Sequence, residues 1–262
     1  GYIVTNNHVV SGATSLKVTT TDGTEYDASV VGKDSQTDLA VIKVDANNLQ
    51  AATLGDSDIL QVGDPAIAIG NPLGELGGTV TTGIISATDR QITIDDETMT
   101  LLQTDAAINP GNSGGGLFNA DGNLIGIVNA KESSTGIEGL GFAIPITPAQ
   151  DIITELMENG SVTSRPALNV SLYDYTSKNQ GQYSKYEDGC YIVQIVKNGA
   201  ADKAGLKQND RILSDGEQIQ STSDVKNVLK KHKIGDTVKM VVERDSKKIT
   251  VEITLQAQTQ TN

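Results

Sequence analysis

Cysteine is nearly absent: Cys190 stands alone, so no intrachain disulfide can staple the chain, and its default state is a buried free thiol. Histidine is almost as scarce. Only His8 and His232 can supply an imidazole, so any search for a general base reduces to a choice between two residues. Basic residues are sparse in the first part of the chain. Residues 1–160 hold 5 Lys and Arg against 21 Asp and Glu, a net of −16, whereas residues 161–262 hold 15 against 12, a net of +3, giving the −13 of the whole chain. An acidic surface repels phosphates, which argues against nucleic-acid binding by the first region, and the change of balance predicts two domains. The basic cluster Lys226–Lys233 reads as a solvated helix face. Long apolar runs are missing as well: none approaches the roughly 20 residues of a membrane span, and the start of the chain has no signal-like pattern. At 262 residues the chain is long enough for two separate cores.

Short strands bounded by turn residues dominate the first region. Leu16–Thr20 and Thr24–Val31 flank Asp22-Gly23, a dipeptide that favours a tight hairpin. Ala66–Ile69, Thr79–Ala87, Gln91–Ile94, Leu101–Thr104, Gly115–Phe118 and Leu124–Val128 follow, a spacing that suits a barrel or a sandwich. A helix is expected over Thr147–Met157, with Thr147 as N-cap, Pro148 in its first position and a stop at Asn159-Gly160. The domains are therefore placed at 1–160 and 167–256, joined by a linker at 161–166, with a disordered tail at 257–262. In the second domain the expected order is a strand at Tyr191–Val196, a short helix at Asn198–Leu206, a strand at Asn209–Leu213, a helix at Ser223–Leu229 and a hairpin, Thr237–Val242 with Lys248–Leu255, turning at Asp245-Ser246. Tyr173–Asp188, polar and rich in Tyr and Lys, reads as a flexible insertion.

One loop stands out chemically. Asp105-Ala106-Ala107-Ile108-Asn109-Pro110-Gly111-Asn112-Ser113-Gly114-Gly115 places a serine on a glycine-framed turn, which leaves its hydroxyl clear of bulky neighbours and leaves nearby backbone N–H groups free to face a developing oxyanion. A serine nucleophile needs an imidazole base and a group that orients it. His232 lies in Lys230-Lys231-His232-Lys233 and reads as a solvated helix end. His8 follows the apolar strand Tyr2–Thr5 at a turn, where a half-buried, hydrogen-bonded ring is its ordinary role and a general base the sharper one. Asp38, at the mouth of the apolar strand Leu39–Val44, is either a turn residue or the carboxylate that orients His8. The chain order His, Asp, Ser is that of chymotrypsin-like double barrels and differs from the orders of subtilisins and α/β-hydrolases.

The chain thus resembles a trypsin-like serine protease. More narrowly, Thr5-Asn6-Asn7-His8-Val9-Val10, Asp38-Leu39-Ala40-Val41, Gly70-Asn71-Pro72-Leu73-Gly74, the serine loop and Gly141-Phe142-Ala143-Ile144-Pro145 resemble the signature blocks of the HtrA/Deg family. Gly116 departs from the proline or alanine usual in that family, an exchange expected to loosen the strand after the serine. The second domain resembles a PDZ module, with Asn169 where that family usually has glycine. The fold implied is mainly β: a chymotrypsin-like double β-barrel, truncated at its N-terminus, followed by an α+β PDZ domain. Because the sequence opens at Gly1 and enters a strand at once, the resemblance implies that upstream strands and a signal or membrane anchor lie outside it.

The chemistry implied is acyl transfer without metal or organic cofactor. His8 takes the Ser113 proton, Asp38 orients His8, and the Gly111-Asn112-Ser113 turn forms the oxyanion hole through its amides. Asn129, by resemblance, supports Asp38. Ala107, Ile108, Val128, Asn129 and Ala130 are expected around the primary pocket. None is acidic, so the pocket should accept small or medium aliphatic side chains rather than basic ones. In the PDZ module, the loop Leu168-Asn169-Val170 is expected to hold a peptide's terminal carboxylate, beside Val225 and Leu229. The activity implied is ATP-independent endoproteolysis of unfolded or misfolded proteins in extracytoplasmic quality control, with C-terminal peptides as PDZ ligands; for the intact protein the resemblance implies an anchor or secretion and allows a homotrimer, while the assembly of this fragment stays open. A peptide-binding chaperone or adaptor with latent proteolysis is the alternative. A purely structural interaction protein leaves the His, Asp and Ser set unexplained.

Overall fold

The computed structural model describes residues 1–47, 49–71, 78–94, 97–130, 139–177, 186–214 and 218–259. They fall into two units, Gly1–Ser161 and Val162–Asn262. No described helix is long and apolar enough to cross a membrane.

Leu39–Val44 (β4) is apolar on both faces and is buried along nearly all its length, which makes it a central strand. It lies between β1 (Tyr2–Asn6) and β3 (Glu25–Asp34), and β2 (Leu16–Thr19) pairs on the far side of β3, giving an open antiparallel sheet in the order β1-β4-β3-β2. The short helix α1 (Asn7–Val10) follows β1, and its Val10 packs on Ala40 and Ile42. The Asp22-Gly23 hairpin closes as the dipeptide predicts: Gly23 N–H donates to Thr20 O at 2.9 Å, and Gly23 takes a φ of +85°.

The remaining strands of this unit are β5 (Pro65–Gly70), β6 (Thr79–Ile94), β7 (Glu97–Thr104), β8 (Gly116–Phe118), β9 (Leu124–Asn129) and β10 (Gly141–Pro145). They close into a barrel in the order β10-β7-β6-β5-β8-β9. The sequence anticipates a double barrel; the second sheet closes, and the first stays open with β1 and β2 as its edges. It also splits residues 79–94 into two strands. They form one strand whose register slips between Ile85 and Ala87 and again between Ala87 and Arg90, and these irregularities carry it across the gap expected between Ala87 and Gln91. Ala66, Ile85, Leu102, Leu117, Ile125 and Val128 fill the barrel, each of the larger side chains contributing about 1.5–3 kcal/mol by leaving water. Gly116 does not leave a void. A Cβ there would lie 2.4 Å from the Phe118 ring, so the ring occupies the space that the family's larger residue would take.

Helix α2 (Ile146–Asn159) completes the unit and ends on Gly160, which is left-handed at φ +72°. It starts before its expected cap. Thr147 lies within the first turn, and its Oγ1 accepts from Ser57 N–H at 2.8 Å instead of capping the helix.

The second unit opens with β11 (Pro166–Ala167) and continues with β12 (Val170–Tyr175), β13 (Gly189–Ile195), α3 (Ala200–Lys203), β14 (Arg211–Ser214), α4 (Thr222–Leu229), β15 (Thr237–Arg244), β16 (Lys247–Thr254) and β17 (Gln256–Ala257). Five strands form a sheet in the order β12-β13-β14-β15-β16, and β11 pairs with β17. The β15–β16 turn places Asp245 and Ser246 at φ +51° and +61°, as a tight hairpin requires. Ser221 and Asp224 form a capping box that starts α4 one residue before the expected Ser223. Two expectations need correction. Tyr173–Tyr175 belongs to β12 rather than to a flexible insertion, because Tyr175 stacks on Tyr186 at 4.3 Å and meets Tyr191 edge-on; residues 178–185 of that insertion lie outside the described residues. Residues 257–259 are not a disordered tail: Ala257 pairs with Pro166, and Gln258 N–H donates to Arg165 O at 3.0 Å.

Candidate active site

The β1–β4 ladder ends at the pair Asn6 and Leu39, so the residues just beyond it, His8 and Asp38, emerge at the same end of the sheet. Asp38 sits at φ +55°, a conformation that Asp tolerates better than most residues. It is held there by its own carbonyl, which accepts from Asn7 N–H at 2.9 Å and from Asn6 Nδ2 at 3.0 Å. Its carboxylate is buried and accepts three bonds. Oδ1 takes His8 N–H at 3.0 Å; Oδ2 takes Asn129 Nδ2 at 3.0 Å and lies 2.6 Å from His8 Nδ1. Since a carboxylate only accepts, that last contact places the imidazole hydrogen on Nδ1 and leaves Nε2 as the acceptor.

Ser113 lies between β7 and β8. Gly114 N–H donates to Val128 O at 3.0 Å and Val128 N–H donates to Gly115 O at 2.8 Å, fixing the turn against β9. Gly114 is left-handed at φ +82°, and a Cβ there would strike Thr5 Oγ1 at 2.2 Å, so the serine turn packs directly on the end of β1 that carries His8. Ser113 Oγ accepts from Ala130 N–H at 3.1 Å, and among the described residues it makes no bond to His8. Gly111 adopts φ +96°, and among the described residues neither its N–H nor that of Ser113 donates to a protein acceptor. Two unpaired amides flanking one hydroxyl is the arrangement an oxyanion requires.

Other expected site residues fall elsewhere. The Asn112 amide is not an oxyanion donor, because it closes a turn onto Asn109 O at 3.0 Å. Val128 is wholly buried among the barrel's apolar side chains and presents nothing to a pocket. The Asn129 side chain serves Asp38 instead of the pocket wall. Ala107 is exposed, its carbonyl accepting from Thr81 Oγ1 at 2.9 Å, while Ile108 and Ala130 are apolar and buried beside the serine turn. In the second unit Leu168 and Val225 are core residues, whereas Val170 and Leu229 are only partly covered and Asn169 is left-handed at φ +58°. Of the block Gly70–Gly74, only Gly70 and Asn71 are described. Asn6 and Thr5, just upstream of Asn7-His8, also serve the site: Asn6 Nδ2 donates to Asp38 O, and Thr5 packs against Gly114. No cluster of His, Cys, Asp and Glu able to hold a metal occurs among the described residues.

Residues 1–127 match the trypsin-like peptidase domain, and residues 166–255 match the PDZ domain. With the open sheet, the closed barrel and the serine turn between β7 and β8, this defines a trypsin-like peptidase domain followed by a PDZ domain. The chain is 44% identical over 270 residues to the serine protease Do-like HtrA of Bacillus subtilis (strain 168), covering 97% of this chain and 60% of that protein. It is 45% identical over 259 residues to a probable periplasmic serine endoprotease, DegP-like, of Chlamydia muridarum (strain MoPn / Nigg), covering 97% and 52%. Among solved structures, the HtrA-type protease AlgW with decapeptide superposes with a TM-score of 0.66 at 39% identity, covering 100% of this chain and 81% of that one. The chain belongs to the HtrA family of serine proteases. It spans about 60% of the length of the Bacillus relative.

Proposed function

We propose that this chain is an endopeptidase that cleaves unfolded or misfolded proteins outside the cytoplasm through His8, Asp38 and Ser113, under regulation by C-terminal peptides bound to its PDZ domain. The observation that carries the reading is the 2.6 Å contact of His8 Nδ1 with Asp38 Oδ2, which leaves Nε2 free to accept a proton. In the reaction Ser113 Oγ bonds to the scissile carbonyl carbon as its proton passes to His8 Nε2, and the Gly111 and Ser113 amides receive the oxyanion. Collapse breaks the C–N bond, and the departing amine takes the proton from His8. Water then repeats the sequence on the acyl-enzyme. Ile108 and Ala130 favour small or medium aliphatic side chains before the cleaved bond, because a cation would find no counter-charge on them. The periplasmic name of the Chlamydia relative supports the extracytoplasmic placement. Anchoring and trimeric assembly of the intact protein remain part of this reading, on the family resemblance.

A specific observation favours a second reading, a peptide-binding chaperone with latent proteolysis. Ser113 Oγ is engaged by Ala130 N–H, and Asn112 Oδ1 is buried with no partner among the described residues, at a cost of about 1–3 kcal/mol that a rearranged serine turn would recover. Incubation with reduced, unfolded casein separates the two. Cleavage that disappears in Ser113→Ala while casein binding persists supports the protease; binding without cleavage, even with a PDZ peptide added, supports the chaperone.

A further inference from the structure

Asn169 carries two contacts that the carboxylate-binding role of its loop does not require. Its side-chain Nδ2 donates to Ala257 O at 3.0 Å, and its Oδ1 accepts from Thr259 N–H at 2.9 Å. A carbonyl and the N–H two residues later face the same side of an extended strand, so the carboxamide engages the exit strand as a neighbouring backbone would. The opposite side of that strand is already taken, for Gln258 N–H donates to Arg165 O and Ala257 pairs with Pro166. The backbone of the loop is fixed as well: Asn169 O accepts from Val196 N–H at 3.0 Å, and Leu168 O accepts from Ala201 N–H at 2.9 Å. Asn169 itself is buried and left-handed. Glycine would satisfy that φ at no steric cost, so the backbone does not explain why asparagine is there; the two side-chain bonds do.

We propose that Asn169 is a positioning residue that ties the exit segment 256–259, which begins with β17, to the carboxylate-binding loop, so that the segment leaving the PDZ domain sets how well that loop receives a peptide's terminal carboxylate. The inference rests on the reading that residues 168–170 bind a C-terminus. With the loop held from both flanks, its N–H groups keep a fixed direction before ligand arrives, and the ordering cost of binding falls. A loop freed from the exit strand loses that preorganisation for the carboxylate and keeps the apolar contacts to Val170 and Leu229.

The test uses the full chain with Ser113→Ala, so that the probe stays intact, and two fluorescein-labelled decapeptides ending in valine, one with a free carboxylate and one amidated. The parent should bind the free acid more tightly than the amide by about tenfold, the effect of one charge-assisted hydrogen-bond set. Asn169→Gly, which keeps the left-handed φ, should weaken the acid about fivefold or more and leave the amide within about twofold, shrinking the ratio toward one. Truncation after Leu255, which removes the partner strand, should do the same, and combining it with Asn169→Gly should add little. General damage to the domain would weaken both peptides together and leave the ratio intact, which overturns the proposal, as does an unchanged ratio at unchanged affinity. A parent that does not distinguish acid from amide instead overturns the reading of residues 168–170 as the carboxylate site.

Discussion

Replacing Asp38 by Asn tests how the imidazole is oriented, and the outcome follows from counting donors. The carboxylate accepts three bonds, from His8 N–H, His8 Nδ1 and Asn129 Nδ2. An amide offers one acceptor and one donor in the same space. If its NH2 takes the Oδ1 position it faces the His8 N–H, and two donors meet in a buried site at a cost of about 1–3 kcal/mol. If its NH2 takes the Oδ2 position, one hydrogen reaches His8 Nδ1, which becomes the acceptor, and the other meets Asn129, which turns its amide oxygen inward; every contact to position 38 is kept. The second arrangement therefore wins, and it moves the imidazole hydrogen to Nε2, the atom that must receive the Ser113 proton. The fold should not suffer, because Asn tolerates the left-handed conformation of Asp38 and matches it in volume. The expected result is a fall in kcat of about 10⁴-fold, some 5.5 kcal/mol, with the unfolding midpoint shifted by no more than a few degrees. Initial rates of casein cleavage beside thermal unfolding of both proteins provide the measurement. A variant that folds normally and keeps kcat within about tenfold would refute the reasoning.

Three further outcomes follow from packing and charge. Arg244 Nε and Nη2 each lie 2.7 Å from the wholly buried carboxylate of Asp210, so Arg244→Leu strands a charge and should destabilise the PDZ unit by about 3–5 kcal/mol in urea unfolding, most of it regained in Arg244→Leu combined with Asp210→Leu. Gly116→Ala drives a methyl into the Phe118 ring and should cost about 1–3 kcal/mol, measured as a lower unfolding midpoint, with Phe118→Leu in the same chain relieving part of it. Burial pushes the Cys190 thiol up to about 12 from its ordinary 9.0. The folded state therefore holds this proton more tightly than the unfolded chain does. Its contribution to stability is full below about pH 9 and is lost as the pH climbs toward 12, and Ellman's reagent at pH 8 should react with Cys190 only after denaturation.

Much of this was legible in the residues because local chemistry and global placement agree. Gly23 and the pair Asp245-Ser246 take positive φ in their turns, and the strand Leu39–Val44 is central because all its residues but Lys43 are apolar and buried. His8 and Asp38 were readable as a pair from their chain order with Ser113, and the register that ends at Asn6 and Leu39 supplies the reason. What local pattern could not carry was side-chain direction and long-range pairing. Val128 and Asn129 are adjacent on one strand, and only the pleat decides that one enters the barrel and the other reaches Asp38. The two-residue pairing of 166–167 with 256–257 spans about the whole second domain, and a polar sequence of that length gives no periodicity to announce a strand. Thr147 resembles a cap in sequence, yet Ser57, 90 residues away, claims its hydroxyl.

The most direct test of the central claim is covalent. A fluorophosphonate or a peptidyl phosphonate ending in valine, incubated with the chain in the presence of a C-terminal PDZ peptide, should add one phosphonyl group per molecule, and tandem mass spectrometry should place it on Ser113 and on no other hydroxyl, with His8→Ala abolishing the labelling. Labelling that survives His8→Ala at the parent rate, or that falls on a different residue, would contradict the account.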